Sequence, residues 1–249
     1  MLENANFVKK INDVNLLEAD NSYVRGIEKI IENYKVVVFP KQSLKMHDLI
    51  RITNCVGKIE EAWEDKHPKN KFIQLLDSKK QKIKDAKSSS QIWHIDRSFT
   101  KQPTRYTFLY ADEVIGNSSS TEICDTSRLW IDISPKIRNI IDNKNAVHSF
   151  SHMFPAIMKS KGYSDEKIKK DILLYPDVSH PTIRNINQKK SLYFNQLCTN
   201  KFIDLSLKEN ELAIDEISEK LEKCYFKYKH EWSTGDLLVW DNFQTTHRA

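Results

Sequence analysis

Apolar and polar positions alternate along the chain with two periods. In residues 24–34, VRGIEKIIENY, the apolar side chains recur every three or four positions, and this spacing predicts a helix. Lys35-Val36-Val37-Val38-Phe39 reads as a buried strand ended by Pro40. Residues 43–57 return to helical spacing, with Leu44, Met46, Leu49, Ile50, Ile52 and Val56 on one broad face. Phe72–Leu76 is a short strand, and further strands are expected at 91–94, 105–111, 121–124 and 146–150, with helical turns before residue 143. Strands at 179–184 and 191–195 follow a mixed insertion at 152–177. A helix is predicted over 208–224, with Leu212, Ile214, Ile217, Leu221 and Cys224 as its inner stripe. The remainder reads as a strand at 225–232, a Thr234-Gly235-Asp236 turn and a strand at 237–241.

Many short strands with few helices between them exclude a doubly wound parallel sheet. They suit a mostly β, α+β jelly roll with helices along one side. At 249 residues the expectation is one domain, 1–249. The polar, aperiodic stretch 79–90 (KKQKIKDAKSSS) is a surface loop or a lid segment, and the 152–177 insertion is the second lid candidate.

Composition changes this picture little. With 39% hydrophobic and 29% charged residues the chain has material for a real core. The formal charge of +5 is spread along the sequence, so it does not mark a nucleic-acid partner; a small anionic substrate explains it as well. Cys55, Cys124, Cys198 and Cys224 form no CxxC pair and read as reduced thiols. The first residues carry no basic and apolar signal pattern, and no apolar run approaches the roughly 18 residues of a membrane span. The expectation is a cytoplasmic protein with no membrane partner, its oligomeric state left open.

The chemistry begins at Trp93-His94-Ile95-Asp96. Residues two apart on a strand share a face, so His94 and Asp96 converge. An imidazole and a carboxylate on one face are two ligands of a facial triad, which leaves the opposite side of an octahedral iron open. Alone, His-x-Asp is a weak signal in a chain with eight His. Leu237–Asn242 reads as a buried strand and turn that delivers His247, and a jelly roll brings strands distant in sequence side by side. His47, His67, His148, His152, His180 and His230 lack a comparable carboxylate partner and read as structural or surface groups, with His148 and His152 as alternatives facing substrate.

Several segments, in order, carry a resemblance to a known family: WHIDRSF at 93–99, the strand region 103–114, SSSTEICDT at 118–126, SHPTIRN at 179–185, SLYFNQ at 191–196 and GDLLVWDNFQTTHRA at 235–249. The chain resembles the TauD/TfdA (taurine dioxygenase-like) family of Fe(II)/2-oxoglutarate-dependent oxygenases over about residues 35–249. The resemblance implies a double-stranded β-helix of the clavaminate synthase-like type, with iron held by His94, Asp96 and His247. Thr121 matches a threonine that bonds the co-substrate carboxylate, although Ser118-Ser119-Ser120 stands where the family has Gly-Gly-Asp. The family's arginine for the distal carboxylate of 2-oxoglutarate lies downstream of the last His, whereas this sequence ends at Ala249. Three explanations compete: a domain lacking its last strands, which is the favoured one, a borrowed cation, for which Arg105 is the first candidate, or a chain that does not bind 2-oxoglutarate in the usual way. Arg248, a neighbour of a ligand on an extended segment, points to the opposite face.

The implied reaction is oxidation of a substrate C–H bond with release of succinate and carbon dioxide. Arg97, Arg184, Tyr193 and Asn195 are the candidate substrate contacts, for a small acidic or amino-acid-like molecule. The rival readings are a cupin-like metal-binding protein without turnover, and an oxygenase acting on a macromolecule.

Overall fold

In a computed structural model, which describes residues 6–76, 89–115 and 120–249, the chain opens with β1 (Val8–Lys10), α1 (Asn21–Tyr34), β2 (Val36–Phe39) and α2 (Met46–Val56). A small hairpin of β3 (Lys66–His67) and β4 (Asn70–Gln74) precedes β5 (Tyr106–Tyr110) and β6 (Ser120–Asp125). Helices α3 (Thr126–Asp132) and α4 (Pro135–Ile141) lead to β7 (Asn145–His148). Two more, α5 (Phe154–Ser160) and α6 (Asp165–Leu174), fill the insertion. Then come β8 (Val178–Pro181), β9 (Ile183–Ile186), β10 (Lys189–Leu192) and β11 (Thr199–Phe202). The chain ends with α7 (Leu207–Glu222), β12 (Lys227–Glu231), β13 (Leu237–Asp241) and β14 (Thr245–Arg248).

One sheet has the order β1-β2-β13-β5 and faces a second, β12-β6-β14. Their inner faces share Phe7, Val36, Val38, Ile123, Leu238 and Trp240. The outer face of the first sheet gives Val37, Phe39, Leu237 and Val239 to a core with Val24, Ile27 and Ile31 of α1 and Ile52 of α2. Strands β2 and β13 are thus covered on both sides, which explains the apolar runs Val36–Phe39 and Leu237–Trp240. A third core lies under α3, α4 and α7, and a fourth gathers Phe99, Phe150, Phe154 and Met158 under the insertion.

The jelly-roll expectation agrees with this architecture. The insertion is two helices with a short connection, and residues 79–88 of the other lid candidate lie outside the described residues. The strand expected at 91–94 is absent: Ser89–Gln91 form a single 3-10 turn, and only His94 makes a bridge. On α7 the buried positions are Asn210, Ala213, Ile217 and Leu221, and Leu212 is exposed. Asn210 earns its inward place through hydrogen bonds to the backbone of Phe202 and Leu205. Among the described residues no helix is long and apolar enough to cross a membrane.

Candidate metal centre

Trp93 and Ile95 are buried, which turns their neighbours His94 and Asp96 away from the packed side. His94 pairs with His247 through two backbone hydrogen bonds of 2.9 Å, His94 N–H to His247 O and His247 N–H to His94 O. Strand β14 is held in register by β6, with His247 opposite Ile123. The two imidazoles therefore lie side by side, ring centroids 4.1 Å apart, with Trp240 packed 4.7 Å from His247. Asp96 Oδ1 lies 3.6 Å from His247 Nε2 and 4.0 Å from His94 Nε2. One donor atom from each of the three residues falls within 4.8 Å of the others.

Protonation suits a cation there. His94 Nδ1 lies 2.8 Å from Ile92 O, an acceptor, so this nitrogen carries a proton and Nε2 is the nitrogen that faces Asp96. Burial, reinforced by His94, pushes the His247 pKa down to about 3 against the pull of Asp96, so the ring is neutral at physiological pH. Burial also opposes ionisation of Asp96. His247, His94, and hydrogen bonds from Thr107 and Asn242 outweigh it and hold the carboxyl below its ordinary range. Two imidazoles and one carboxylate are the donor set of a non-haem iron site with open positions.

The other candidate residues fall into distinct settings. Thr121 is two residues from Ile123 on β6, so it shares the face of His247, and its hydroxyl accepts a hydrogen bond from Trp232 Nε1 at 3.0 Å. Arg105 lies 2.8 Å from Glu32 and 3.7 Å from Asp241, so two carboxylates already balance its charge. Arg97, in the left-handed region at φ 52°, reaches Glu60 and the carbonyl of Glu61. Arg248 stacks on Trp93 and pairs with Glu122 and Glu222, on the face opposite the His247 ring. Asn195 donates to Ile95 O and Ser98 Oγ and accepts from Leu197 N–H, and these bonds tie the His94–Asp96 segment to the connection between β10 and β11.

Arg184 differs. Its guanidinium lies 4.4 Å from the Tyr193 ring and 4.5 Å from the Phe243 ring, yet its Nε and Nη2 are buried without a hydrogen-bond partner. Tyr193 Oη, beside this guanidinium, is buried, and His148 Nε2 is buried without a partner. Phe243 follows Asn242, which bonds the backbone of Asp96, so this group of buried polar atoms adjoins the candidate ligands.

His148 has a measurable signature. Burial, then His180 and Arg184, push its pKa from 6.5 down to about 3. As pH falls from 6.5 the unfolded chain gains a proton that the folded chain refuses until about 3. Each pH unit in that window costs up to about 1.4 kcal/mol of stability per such histidine. Urea unfolding of the metal-free chain at pH 7 and pH 5 should show the loss, and His148→Gln should make the dependence shallower. An unchanged slope contradicts the assignment.

Thr107 and Asn242 carried no sequence signal that singled them out. Thr107 donates to Asp96 Oδ2 at 2.6 Å, and Asn242 lies in the turn between β13 and β14.

Comparison with known proteins adds the family. The profile described as "Taurine catabolism dioxygenase TauD, TfdA family" matches residues 4–249. The alpha-ketoglutarate-dependent 2,4-dichlorophenoxyacetate dioxygenase of Cupriavidus pinatubonensis is 24% identical, over 98% of this chain and 88% of that protein. Pentalenolactone F synthase of Streptomyces arenae is 26% identical over 92% of this chain and 82% of that protein. The crystal structure of AAD-2 in complex with Mn(II) and N-oxalylglycine superposes with a TM-score of 0.72 at 24% identity, covering 98% of this chain and 87% of that one.

Proposed function

The chain belongs to the taurine catabolism dioxygenase TauD, TfdA family, and from that premise we propose that it is an Fe(II)/2-oxoglutarate-dependent oxygenase of a small, acidic or amino-acid-like substrate. The observation that carries the reading is the convergence of His94, Asp96 and His247, drawn from distant parts of the sequence into one set of metal-ligand atoms. Bound there, Fe(II) together with 2-oxoglutarate and dioxygen supplies the oxidant for a substrate C–H bond, and 2-oxoglutarate leaves as succinate and carbon dioxide.

The protein's own residues do the positioning. His94 and His247 offer imidazole lone pairs, and Asp96 supplies the one negative charge of the donor set. Thr121, on the same sheet face as His247, is the proposed contact for a 2-oxoglutarate carboxylate, with Trp232 orienting its hydroxyl. Arg105 takes the distal carboxylate only by giving up Glu32 and Asp241, which makes it the weaker of the two proposed contacts. Arg184 and Tyr193 are the proposed substrate groups: a guanidinium with two buried, unsatisfied nitrogens gains most from an anionic partner. Arg97 and Asn195 support the site at one remove, by fixing the connecting segments around the ligands.

The test is succinate release with Fe(II), 2-oxoglutarate and panels of carboxylates, sulfonates and neutral analogues. The expected result is stimulation by acids alone. Arg184→Gln should raise the KM of the best acid about 10- to 100-fold, the value of one charge-assisted pair. Stimulation by neutral compounds only, or an unmoved KM, contradicts the substrate assignment while leaving the oxygenase reading intact.

A further inference from the structure

We propose that Thr107 and Asn242 are positioning residues that present Asp96 to a metal through one oxygen, by a hydrogen-bond chain whose direction the chemistry of its members fixes. The inference rests on the metal reading above and concerns what controls the carboxylate within it.

The two oxygens of Asp96 have different surroundings. Oδ1 faces the histidines, 3.6 Å from His247 Nε2 and 4.0 Å from His94 Nε2. Oδ2 accepts the Thr107 hydroxyl at 2.6 Å. Whether that hydroxyl donates to Asp96 depends on what else it meets, and the next links decide it. Trp240 Nε1, an obligate donor, lies 3.1 Å from Asn242 Oδ1, and the Asp96 backbone N–H, another obligate donor, lies 3.3 Å from the same atom. Two donors on one side of the amide require its oxygen there. The Asn242 Nδ2 group must then point the other way, and it donates to Thr107 Oγ1 at 2.8 Å. With a lone pair of Oγ1 occupied by that N–H, the single hydroxyl hydrogen goes to Asp96 Oδ2.

The frame around the chain is rigid. Asn242 and Trp240 are buried, and Thr107 on β5 sits directly opposite Trp240 on β13 in the sheet. Oδ2 is thus held from the protein side, and Oδ1 alone is turned to the histidines. A carboxylate that swung to bind through both oxygens would take a coordination position needed by co-substrate or dioxygen. The Thr107 bond opposes that swing.

The experiment uses the full chain, freed of metal and titrated with Co(II), reading the visible absorption of the bound ion. Thr107→Val keeps the branched shape and strand preference but removes the donor. It is expected to weaken Co(II) binding about 10- to 100-fold and to alter the band, as loss of an outer partner does at other metal sites. Thr107→Ser, which keeps the hydroxyl, is expected to restore both the affinity and the spectrum. Asn242→Asp is the second probe: an acceptor in place of Nδ2 draws the Thr107 hydrogen away from Asp96, and the affinity should fall again. Equal affinity and identical spectra in the wild-type chain and Thr107→Val would overturn the proposal and leave the metal reading standing. A wild-type chain that binds no Co(II) would overturn both.

Discussion

A His247→Ala chain is expected to lose iron altogether at micromolar metal while keeping its melting profile in the metal-free state. The side chain contributes one of three donors, and His94 and Asp96 alone form a site open on most sides. Loss of a direct ligand should exceed the roughly 10- to 100-fold penalty of losing an outer partner. The fold should survive because the strand around His247 is held by its backbone: its N–H and carbonyl pair with His94, and Thr246 Oγ1 bonds His94 O. Iron content after dialysis, measured beside the thermal transition of each metal-free chain, separates the two effects. Retention of iron near one equivalent would remove His247 from the ligand set.

The largest stability effect should come from a residue outside the site. Lys35 follows α1 at φ 63°, and its ammonium is buried against Asp125 at 2.5 Å and Ser127 Oγ at 2.6 Å. Burial lowers its pKa, and Asp125 pulls the other way, which marks the ion pair as what keeps the charge tolerable. Asp125 also caps α3 through Ser127 N–H and lies opposite Thr245, at the start of the strand that carries His247. Lys35→Ala removes the ammonium and leaves the buried Asp125 with the Ser127 N–H and hydroxyl and with Arg128 at 3.8 Å, and should cost about 3 kcal/mol. The urea midpoint should move accordingly, and Lys35→Ala combined with Asp125→Asn should recover part of the loss. A single-variant midpoint within error of wild type would show that solvent already screens this pair.

How much of this was legible beforehand depended on whether burial alone set the pattern. Strands β2 and β13 were readable because both faces are covered, so β2 is apolar throughout and β13 up to its last residue, Asp241. Helix α1 was readable because one face is covered, so Val24, Ile27 and Ile31 recur at helical spacing. Strand β14 was not, since Thr245-Thr246-His247-Arg248 has no apolar alternation and owes its form to backbone pairing with β6. Leu212 was expected inside because it is apolar, but Asn210 takes the inner row by satisfying backbone groups that leucine cannot.

The site divides the same way. His94, Asp96 and His247 stood out by residue type and motif, and the resemblance to a known family set their roles. The secondary structure around the first two differs from the strand expected, yet the alternation of Trp93 and Ile95 with them was enough to place them together. The settings of Arg97 and Arg105 were hidden, because the partners that neutralise them, Glu60 and Glu32, lie far away in sequence. Thr107 and Asn242 were hidden for a related reason. Their importance lies in a three-residue chain of donors and acceptors that exists only once β5 and β13 are side by side.

The most direct test of the account is one binding and turnover measurement on the wild-type chain: anaerobic titration with Fe(II), then 2-oxoglutarate, then air, with succinate quantified per chain. The account predicts one iron per chain, bound 2-oxoglutarate that raises iron retention, and succinate formed only when both are present with oxygen. Iron binding that is unaffected by His94→Ala, or complete absence of succinate with iron bound, would contradict it.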